Sequence, residues 1–191
     1  MTLQHGMDRI GVNLLIPVLI LLIPWVQELV DQLFFGGQWN LPMAPGGPFL
    51  GVLTAPFSHG DFSHLLANSL TFLPLSWLVL TRRRRDYLAV WLAVYATAIP
   101  VWLFWPVGSH GLSGVVYGLL GYLLLIGWLE RRIDSLVLSF LVLLMYGGVL
   151  PTLLPIFSSS GISWIGHASG FAGGLLAAWG MARDRKPEPK R

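Results

Sequence analysis

The 191-residue chain contains no cysteine and very few charged residues. The lack of cysteine excludes disulfide bonds and any chemistry that needs a thiolate. Charged residues make up only 11% of the chain, whereas hydrophobic residues make up 54%. Because soluble domains carry about 25% charged residues, this composition indicates a protein whose solvent is lipid.

Two hydrolytic sites that are compatible with a membrane are also missing from the sequence. No His-Glu-x-x-His sequence is present, so a zinc hydrolase would lack its ligands. No pair of aspartates lies inside two apolar stretches, so an aspartyl dyad is excluded as well. We therefore predict no metal and no cofactor.

What the chain does contain is six consecutive apolar stretches of about 18–21 residues. Each is long enough to cross about 30 Å of hydrocarbon as an α-helix. We predict spans near residues 10–30, 62–80, 87–105, 112–129, 136–154 and 162–181, with a structured outer loop at 31–59. The sequence thus predicts an all-α polytopic membrane protein, a bundle of six transmembrane helices at 10–181 without a separate soluble domain.

All 12 lysine and arginine residues fall on one side of this predicted bundle. They lie in an N-terminal segment at 1–9, in the links at 81–86 and 130–135, and in a tail at 182–191. The positive-inside rule then predicts that these segments, and with them both termini, are cytoplasmic. The same positive charge suits a surface of anionic lipid, and we predict no nucleic-acid partner.

Polar residues occur in the first turns of the three spans that begin on the outer face. His64 and Asn68 lie on the second span, Ser113 on the fourth and His167 on the sixth. At 1.5 Å per residue, all four lie within roughly 10 Å of the outer boundary and share one layer. Ionisable side chains inside a membrane are costly and mark functional sites.

This layer has the residue types that nucleophilic acyl transfer requires. The reaction needs a hydroxyl activated by an adjacent base and hydrogen-bond donors for the developing oxyanion. Ser113 and His167 are the candidate nucleophile and base. His64, Asn68 and the backbone N–H of Ser113 are the candidate donors. Without a carboxylate deeper in this layer, we predict a Ser-His dyad rather than a triad.

Other polar and aromatic residues near the layer have simpler interpretations. We predict that Asp61 N-caps the second span. Tyr117, one turn below Ser113, either packs in the ordinary way or stacks on the imidazole and orients it. His59 and His110 are expected in outer loops, where surface roles suit them.

Glycines are concentrated on the fourth and sixth spans. Small residues at positions i and i+4 of a helix allow two helix backbones to approach closely in lipid. We therefore predict tight packing between the two spans that carry Ser113 and His167. The residues concerned are Gly114, Gly118 and Gly121 on the fourth span, and Gly166, Gly170, Gly173 and Gly174 on the sixth.

Three motifs together resemble those of a known family, the rhomboid intramembrane serine proteases. The fourth-span motif is Gly111-Leu112-Ser113-Gly114-Val115-Val116-Tyr117, followed by Gly121; the second-span motif is His59, His64 and Asn68; the sixth-span motif is Gly166-His167-Ala168-Ser169-Gly170. One departure concerns the first outer loop, where the family commonly carries a Trp-Arg pair. Here Trp39 is followed by Asn40.

The resemblance implies a specific activity. It implies a Ser113–His167 dyad, an oxyanion bound by His64, Asn68 and the Ser113 amide, and Tyr117 packed on His167. The supporting motif residues would be His59, Gly111, Gly114, Gly166 and Gly170. Substrates would be single-span membrane proteins, cut near the outer membrane face beside a water-filled cavity that the loop after the fifth span caps. The location would be a prokaryotic inner membrane.

An alternative of another class is a non-enzymatic membrane protein that binds or transports a ligand. His64, His167 and Tyr117 would then form a relay, since intramembrane histidines occur in such pathways. That hypothesis predicts polar residues down to the inner face, but the inner halves of the second, fourth and sixth spans are largely apolar. The sequence does not indicate the oligomeric state.

Overall fold

Seven α-helices make up most of the described part of the chain. The computed structural model describes residues 2–158 and 163–184, with side chains from residue 11 onwards. The helices are α1 (Thr2–Val30), α2 (Leu50–Thr54), α3 (Phe62–Arg82), α4 (Arg84–Phe104), α5 (Ser113–Glu130), α6 (Ile133–Tyr146) and α7 (Trp164–Arg183). The described residues form no β-strand, and one isolated antiparallel bridge joins Met43 to Ser109. The predicted all-α class is confirmed.

Five helices in the described part of the chain are long and apolar enough to cross a membrane. They are Gly11–Phe35, Phe62–Arg82, Arg84–Phe104, Ser113–Glu130 and Ile133–Leu153. Helix α7 has 20 residues but is not among them, because its glycines, tryptophans and polar side chains lower its mean hydropathy. The chain is a multi-pass membrane protein, and α7 as the sixth span stays a prediction.

Several helix boundaries differ from the predicted ones. Helix α1 begins at Thr2 rather than near residue 10. The fifth span is α-helical only to Tyr146 and continues as a 3-10 helix over Gly147–Leu153, where two glycines and a proline weaken the α-helical pattern. Helix α7 extends to Arg183, two residues beyond the predicted end of the sixth span at 181. The rest of the tail, 185–191, lies outside the described residues.

The predicted outer loop contains short helical turns. Five residues of π-helix, Asp31–Phe35, extend α1 and end at Gly36, whose φ of 62° is left-handed. Helix α2 and a 3-10 turn over Ala55–Phe57 follow before α3. The loop is therefore ordered and packs back onto the bundle, where Met43, Val52 and Ala55 are buried.

Helix α5 forms the centre of the bundle. It packs against α3, α4, α6 and α7. Its side chains are buried on all sides from Val115 to Leu123. A helix that is apolar all round can be buried in this way. Because Ser113 is the first residue of α5, the nucleophile candidate sits at one end of the core.

Helices α5 and α7 approach each other through their glycines, as predicted. A Cβ atom on Gly170 would lie 2.9 Å from the Cα of Gly114 and closer still to its carbonyl oxygen. A Cβ on Gly118 would lie 3.2 Å from the carbonyl oxygen of Gly170. Real Cβ contacts are rarely this short, so side chains at these positions would push the helices apart.

The opposite end of the bundle carries the arginines at 82–85 and 131–132 and is called the arginine end below. Arg82 pairs with Glu130, which also accepts a hydrogen bond from Ser135. Nearby, the buried hydroxyl of Tyr122 donates to Asp86 over 2.6 Å. The sequence does not predict this second pair, because Asp86 is adjacent to four arginines in a link that is expected to face the solvent.

Candidate active site

The start of α3 sets the position of His64 and Asn68. The side chain of Asp61 accepts the His64 backbone N–H over 2.8 Å, so the predicted N-cap is confirmed. Hydrogen bonds from the Ser63 hydroxyl and from the His64 backbone hold the pKa of Asp61 below its usual range. His64 is half-buried and Asn68 is buried one turn further along the same face.

The turn before Ser113 packs on this face of α3. Gly111 adopts φ 113°, which side chains with a Cβ rarely adopt. A Cβ there would also lie 3.2 Å from Cε1 of His64 and 3.9 Å from Nδ2 of Asn68. The Gly111 backbone N–H donates to the carbonyl of Ala55 over 2.8 Å, which fixes the turn. Glycine is therefore required at 111 both by its conformation and by the approach of α3.

The Asn68 side chain presents an unused donor beside this turn. Its Nδ2 is buried and has no hydrogen-bond partner among the described residues. A buried amide N–H without an acceptor costs about 1–3 kcal/mol, so such groups are rare in folded proteins. The donor is available for an oxygen atom that arrives next to Ser113.

His59 is fully buried, and our prediction of a surface role for it is wrong. Its Nε2 accepts the backbone N–H of Leu112 over 3.2 Å, and its ring centroid lies 5.2 Å from that of His64. The loop before α3 folds back under the Ser113 turn, which the spacing of apolar residues could not reveal. His59 thus supports the turn from below. His110 is half-buried rather than at the surface.

The neutral state of His59 makes stability depend on pH. Burial, with smaller contributions from His64 and His110, lowers the pKa of His59 to about 3. The unfolded chain binds this proton near pH 6.5, whereas the folded chain stays neutral until about pH 3. Stability is therefore complete above pH 6.5 and falls as the pH decreases. Between pH 6.5 and 5 the loss should be about 2 kcal/mol.

A His59→Gln variant should reduce this pH dependence, since its side-chain oxygen can still accept the Leu112 N–H but does not titrate. The measurement is thermal unfolding of wild type and variant in detergent between pH 7 and 5. Burial also lowers the pKa of His110, so His110→Gln is the comparison variant and should retain most of the wild-type slope. Equal slopes for wild type and His59→Gln would contradict the prediction.

Ser113 and His167 lie on the facing first turns of α5 and α7. A Cβ on Gly114 would lie 3.5 Å from the carbonyl oxygen of Gly166, so the residues next to each candidate are in contact. Ser113 is half-buried and His167 is buried. The described residues include no hydrogen bond between the two side chains, and the dyad stays a prediction. Catalytic hydrogen bonds often tighten only when substrate is bound.

Tyr117 stacks on His167, as the resemblance implied. The ring centroids are 4.2 Å apart and the planes are inclined by 17°. The Tyr117 hydroxyl donates to the carbonyl of Val149 over 3.0 Å and also pairs with the Thr152 hydroxyl. The Nδ1 atom of His167 is buried and has no hydrogen-bond partner among the described residues. The ring is thus stacked on Tyr117 and also lies within hydrogen-bonding reach of the Thr152 backbone.

Two supporting interactions near His167 are not predicted from the sequence. Ser163 N-caps α7 by accepting the Gly166 backbone N–H over 3.2 Å, which a serine four residues before His167 could have signalled. Val149 and Thr152, which hold Tyr117, lie in the 3-10 segment and follow no pattern that would have found them. Together these contacts fix the helix start and the ring that surround His167.

A small cavity adjoins Ser113. Its volume is about 40 Å³, which is enough for at least one water molecule. Polar side chains of Ser109, His110, Ser113 and Ser169 contribute to its lining, together with Gly114 and Gly166. The predicted cap formed by the loop after the fifth span lies partly outside the described residues, at 159–162.

Comparison with known proteins assigns the chain to a family. The model of the Rhomboid domain matches residues 47–184, a range that includes α3 to α7 and all the candidate site residues. The chain belongs to the rhomboid family. This family comprises intramembrane proteases, and the resemblance found from the three motifs is confirmed at the level of the family.

Relatives of this rhomboid occur in bacteria. Uncharacterised proteins of Mycobacterium bovis and Mycobacterium tuberculosis are 33% identical over 182 residues, which covers 85% of this chain and 72% of theirs. The rhomboid protease GluP of Bacillus subtilis is 30% identical over 156 residues, which covers 75% of this chain and 28% of its own length.

Side chains that commonly bind metals are not clustered in the described part of this rhomboid. No group of three or more His, Cys, Asp or Glu side chains there is arranged to hold a metal ion. His59, His64 and His110 are near one another, but His59 already accepts a backbone N–H. The side chains around Ser113 instead offer hydrogen-bond donors and several imidazole rings.

Proposed function

We propose that this rhomboid is a serine endopeptidase that cleaves transmembrane segments of membrane proteins, with Ser113 as nucleophile and His167 as base. The observation that carries the proposal is the buried Asn68 Nδ2, a donor without an acceptor beside the Ser113 turn. An oxyanion hole is a site with this property, since its acceptor exists only during the reaction.

The proposed reaction proceeds in two steps. The Ser113 hydroxyl attacks the carbonyl carbon of the scissile peptide bond while His167 takes its proton. His167 returns that proton to the leaving amine as the C–N bond breaks, and an ester to Ser113 remains. Water then attacks the ester with His167 again as base, which releases the acid and restores the hydroxyl.

Negative charge on the carbonyl oxygen would be stabilised by donors from two helices. The candidates are Asn68 Nδ2, the His64 ring and the Ser113 backbone N–H, which has no partner inside α5 because it opens the helix. The positive end of the α5 dipole points in the same direction. In a site of low polarity each such donor stabilises the negative charge more strongly than it would in water.

Tyr117 has the positioning function that a carboxylate has in a triad. Stacking restricts rotation of the His167 ring, and the hydrogen bond from Tyr117 to Val149 fixes the tyrosine in turn. We propose this role because no acidic side chain among the described residues bonds to His167. A positioned imidazole without an acidic partner is enough for a Ser-His dyad.

The position of the site implies where cleavage occurs. With the arginine end in the cytoplasm, Ser113 lies near the outer face of the membrane, and both termini are cytoplasmic. We propose a prokaryotic inner membrane as the location and single-span membrane proteins as substrates. A substrate helix must unwind locally, because a hydrogen-bonded peptide does not present its carbonyl carbon to the serine.

Replacing Asn68 with alanine should slow cleavage without unfolding the protein. Loss of one oxyanion donor costs about 10²–10³-fold in kcat. Stability should be unchanged or higher, since the buried amide donor is unpaired. The measurement is kcat for a transmembrane substrate in liposomes, with thermal unfolding alongside. Asn13→Ala, which removes hydrogen bonds with Leu80 and Arg84 at the arginine end, is the control. Wild-type kcat in Asn68→Ala would contradict the role.

A serine-reactive fluorophosphonate probe tests the proposal directly. We expect labelling of the wild-type protein, and loss of labelling in both Ser113→Ala and His167→Ala. Loss in His167→Ala identifies an activated nucleophile rather than a merely accessible hydroxyl. The relay hypothesis predicts no labelling of any form. Labelling that persists in His167→Ala would refute the dyad.

A further inference from the structure

Three buried oxygen atoms at the end of α1 have no hydrogen-bond partner among the described residues. They are Oε1 of Gln27, Oε2 of Glu28 and Oδ2 of Asp31. Glu28 and Asp31 are fully buried, and Gln27 is 8% exposed. None of the three belongs to the candidate active site. Burying a carboxylate without compensation costs several kcal/mol, so the arrangement requires an explanation.

The three side chains lie on one face of α1. Asp31 is one turn beyond both Gln27 and Glu28, and residues three and four apart are neighbours on a helix surface. Gln27 and Asp31 also hold the same residue: Gln27 Nε2 donates to the Trp39 carbonyl over 2.9 Å, and Asp31 Oδ1 accepts the Trp39 N–H over 2.7 Å. This shared residue brings the amide and the carboxylate together.

The same contacts fix which atoms remain unused. Because the Gln27 amide nitrogen is committed to Trp39, its oxygen is the free atom and cannot be exchanged for a donor. Glu28 Oε1 accepts from Gln32 Nε2 over 2.8 Å, which leaves Oε2 free. The remaining atoms are all acceptors: an amide oxygen and one oxygen from each of two carboxylates.

The electrostatic surroundings of these oxygen atoms do not compensate for their negative charge. The C-terminal end of a helix dipole is negative and favours cations, yet the last turn of α1 and the π-helix contain no basic residue. The sequence has no lysine or arginine between Arg9 and Arg82. The ionisable groups that act on Glu28 are Asp31, Asp61 and His64, and the first two are acidic.

We propose that Gln27, Glu28 and Asp31 bind a hard divalent cation, Ca²⁺ or Mg²⁺, through these three oxygens. Such ions are held by carboxylate and amide oxygens, with water in the remaining positions. A single shared proton would satisfy the two carboxylates but would leave the Gln27 oxygen without a donor. A cation satisfies all three oxygens and offsets the charge of both carboxylates.

The bound ion would stabilise the outer loop and, through it, the turn before Ser113. Asp31 and Gln27 hold Trp39, and the Ser58 hydroxyl accepts the Leu41 N–H over 2.9 Å. The next residue, His59, accepts the Leu112 N–H. The cation site would thus be a structural site at the start of a hydrogen-bonded path towards the nucleophile. It does not depend on the proposed protease activity.

The experiment is thermal unfolding of the full chain in detergent, first in EDTA and then with CaCl₂ or MgCl₂ against NaCl of equal ionic strength. At a cation concentration 100-fold above the dissociation constant, the Tm of the wild type should rise by roughly 5–10 °C. Glu28→Gln and Asp31→Asn should remove this rise. Asp134→Asn, which neutralises an exposed carboxylate at the arginine end, should retain it.

A second comparison keeps the test decisive if a variant is altered in overall stability. In EDTA, Glu28→Gln should be at least as stable as the wild type, because it removes a buried charge that forms no salt bridge among the described residues. An unchanged wild-type Tm in CaCl₂ and in MgCl₂ would overturn the proposal. A rise of equal size in Glu28→Gln would overturn it as well, since the ion would then bind elsewhere. Tm is read without substrate, so inactivity of the enzyme cannot produce either result.

Discussion

Replacing Ser113 with alanine should abolish cleavage of a transmembrane substrate and leave the fold intact. Removal of the nucleophile from a serine protease costs about 10⁶-fold in kcat, which places residual turnover below detection. The fold should survive because Ser113 is half-buried and takes part in none of the side-chain hydrogen bonds of the described residues. The measurement is cleavage of a single-span substrate in liposomes, with Tm as the test of folding.

Ser63→Ala is the matched control for this variant. Ser63 is an exposed serine at the same end of the bundle, and its hydroxyl bonds only to the capping Asp61 among the described residues. The Ser63→Ala variant should cleave the substrate at a rate close to that of the wild type. Normal turnover by Ser113→Ala would refute the assignment of the nucleophile. Loss of activity together with a large fall in Tm would instead show that Ser113 is required for folding.

The parts of the site that could be predicted from the sequence are those fixed by helical period. Tyr117 lies one turn beyond Ser113, so its ring had to lie on the same face of α5, and it does stack on His167. The glycine spacing on α5 and α7 likewise predicted the close contact between the helices. Residue number within each span predicts a common layer of polar residues, and the structure places His64 and Asn68 beside the turn that precedes Ser113.

The parts that could not be predicted depend on how irregular segments return to the bundle. His59 was expected at the surface and is buried under the Ser113 turn, because the preceding loop folds inward. Neither hydropathy nor helical period specifies such a path. The buried oxygens of Glu28 and Asp31 were missed for the same reason, since their environment is created by the loop around Trp39.

Replacing Gly174 with alanine should destabilise the bundle and, through it, the active site. A Cβ at this position would lie 2.8 Å from the backbone nitrogen of Tyr122 and closer to the carbonyl oxygen of Gly118. Both are backbone atoms of α5, so the helices must separate. Overpacking of this kind costs about 1–3 kcal/mol, equivalent to roughly 2–12 °C in Tm. Gly174 lies two turns below His167, so the first effect is on packing and not on chemistry.

Gly180→Ala separates this effect from a general intolerance of alanine in α7. Gly180 lies on the same helix, and a Cβ there meets no atom within 4 Å. The Gly180→Ala variant should have an unchanged or higher Tm, because alanine is a better helix former than glycine by about 1 kcal/mol. Cleavage should fall in Gly174→Ala alone, since separation of α5 from α7 moves His167 away from Ser113. If both variants unfold at the wild-type temperature, the glycines are not what holds the two catalytic helices together, and the close approach would have to arise from the contacts around Tyr117.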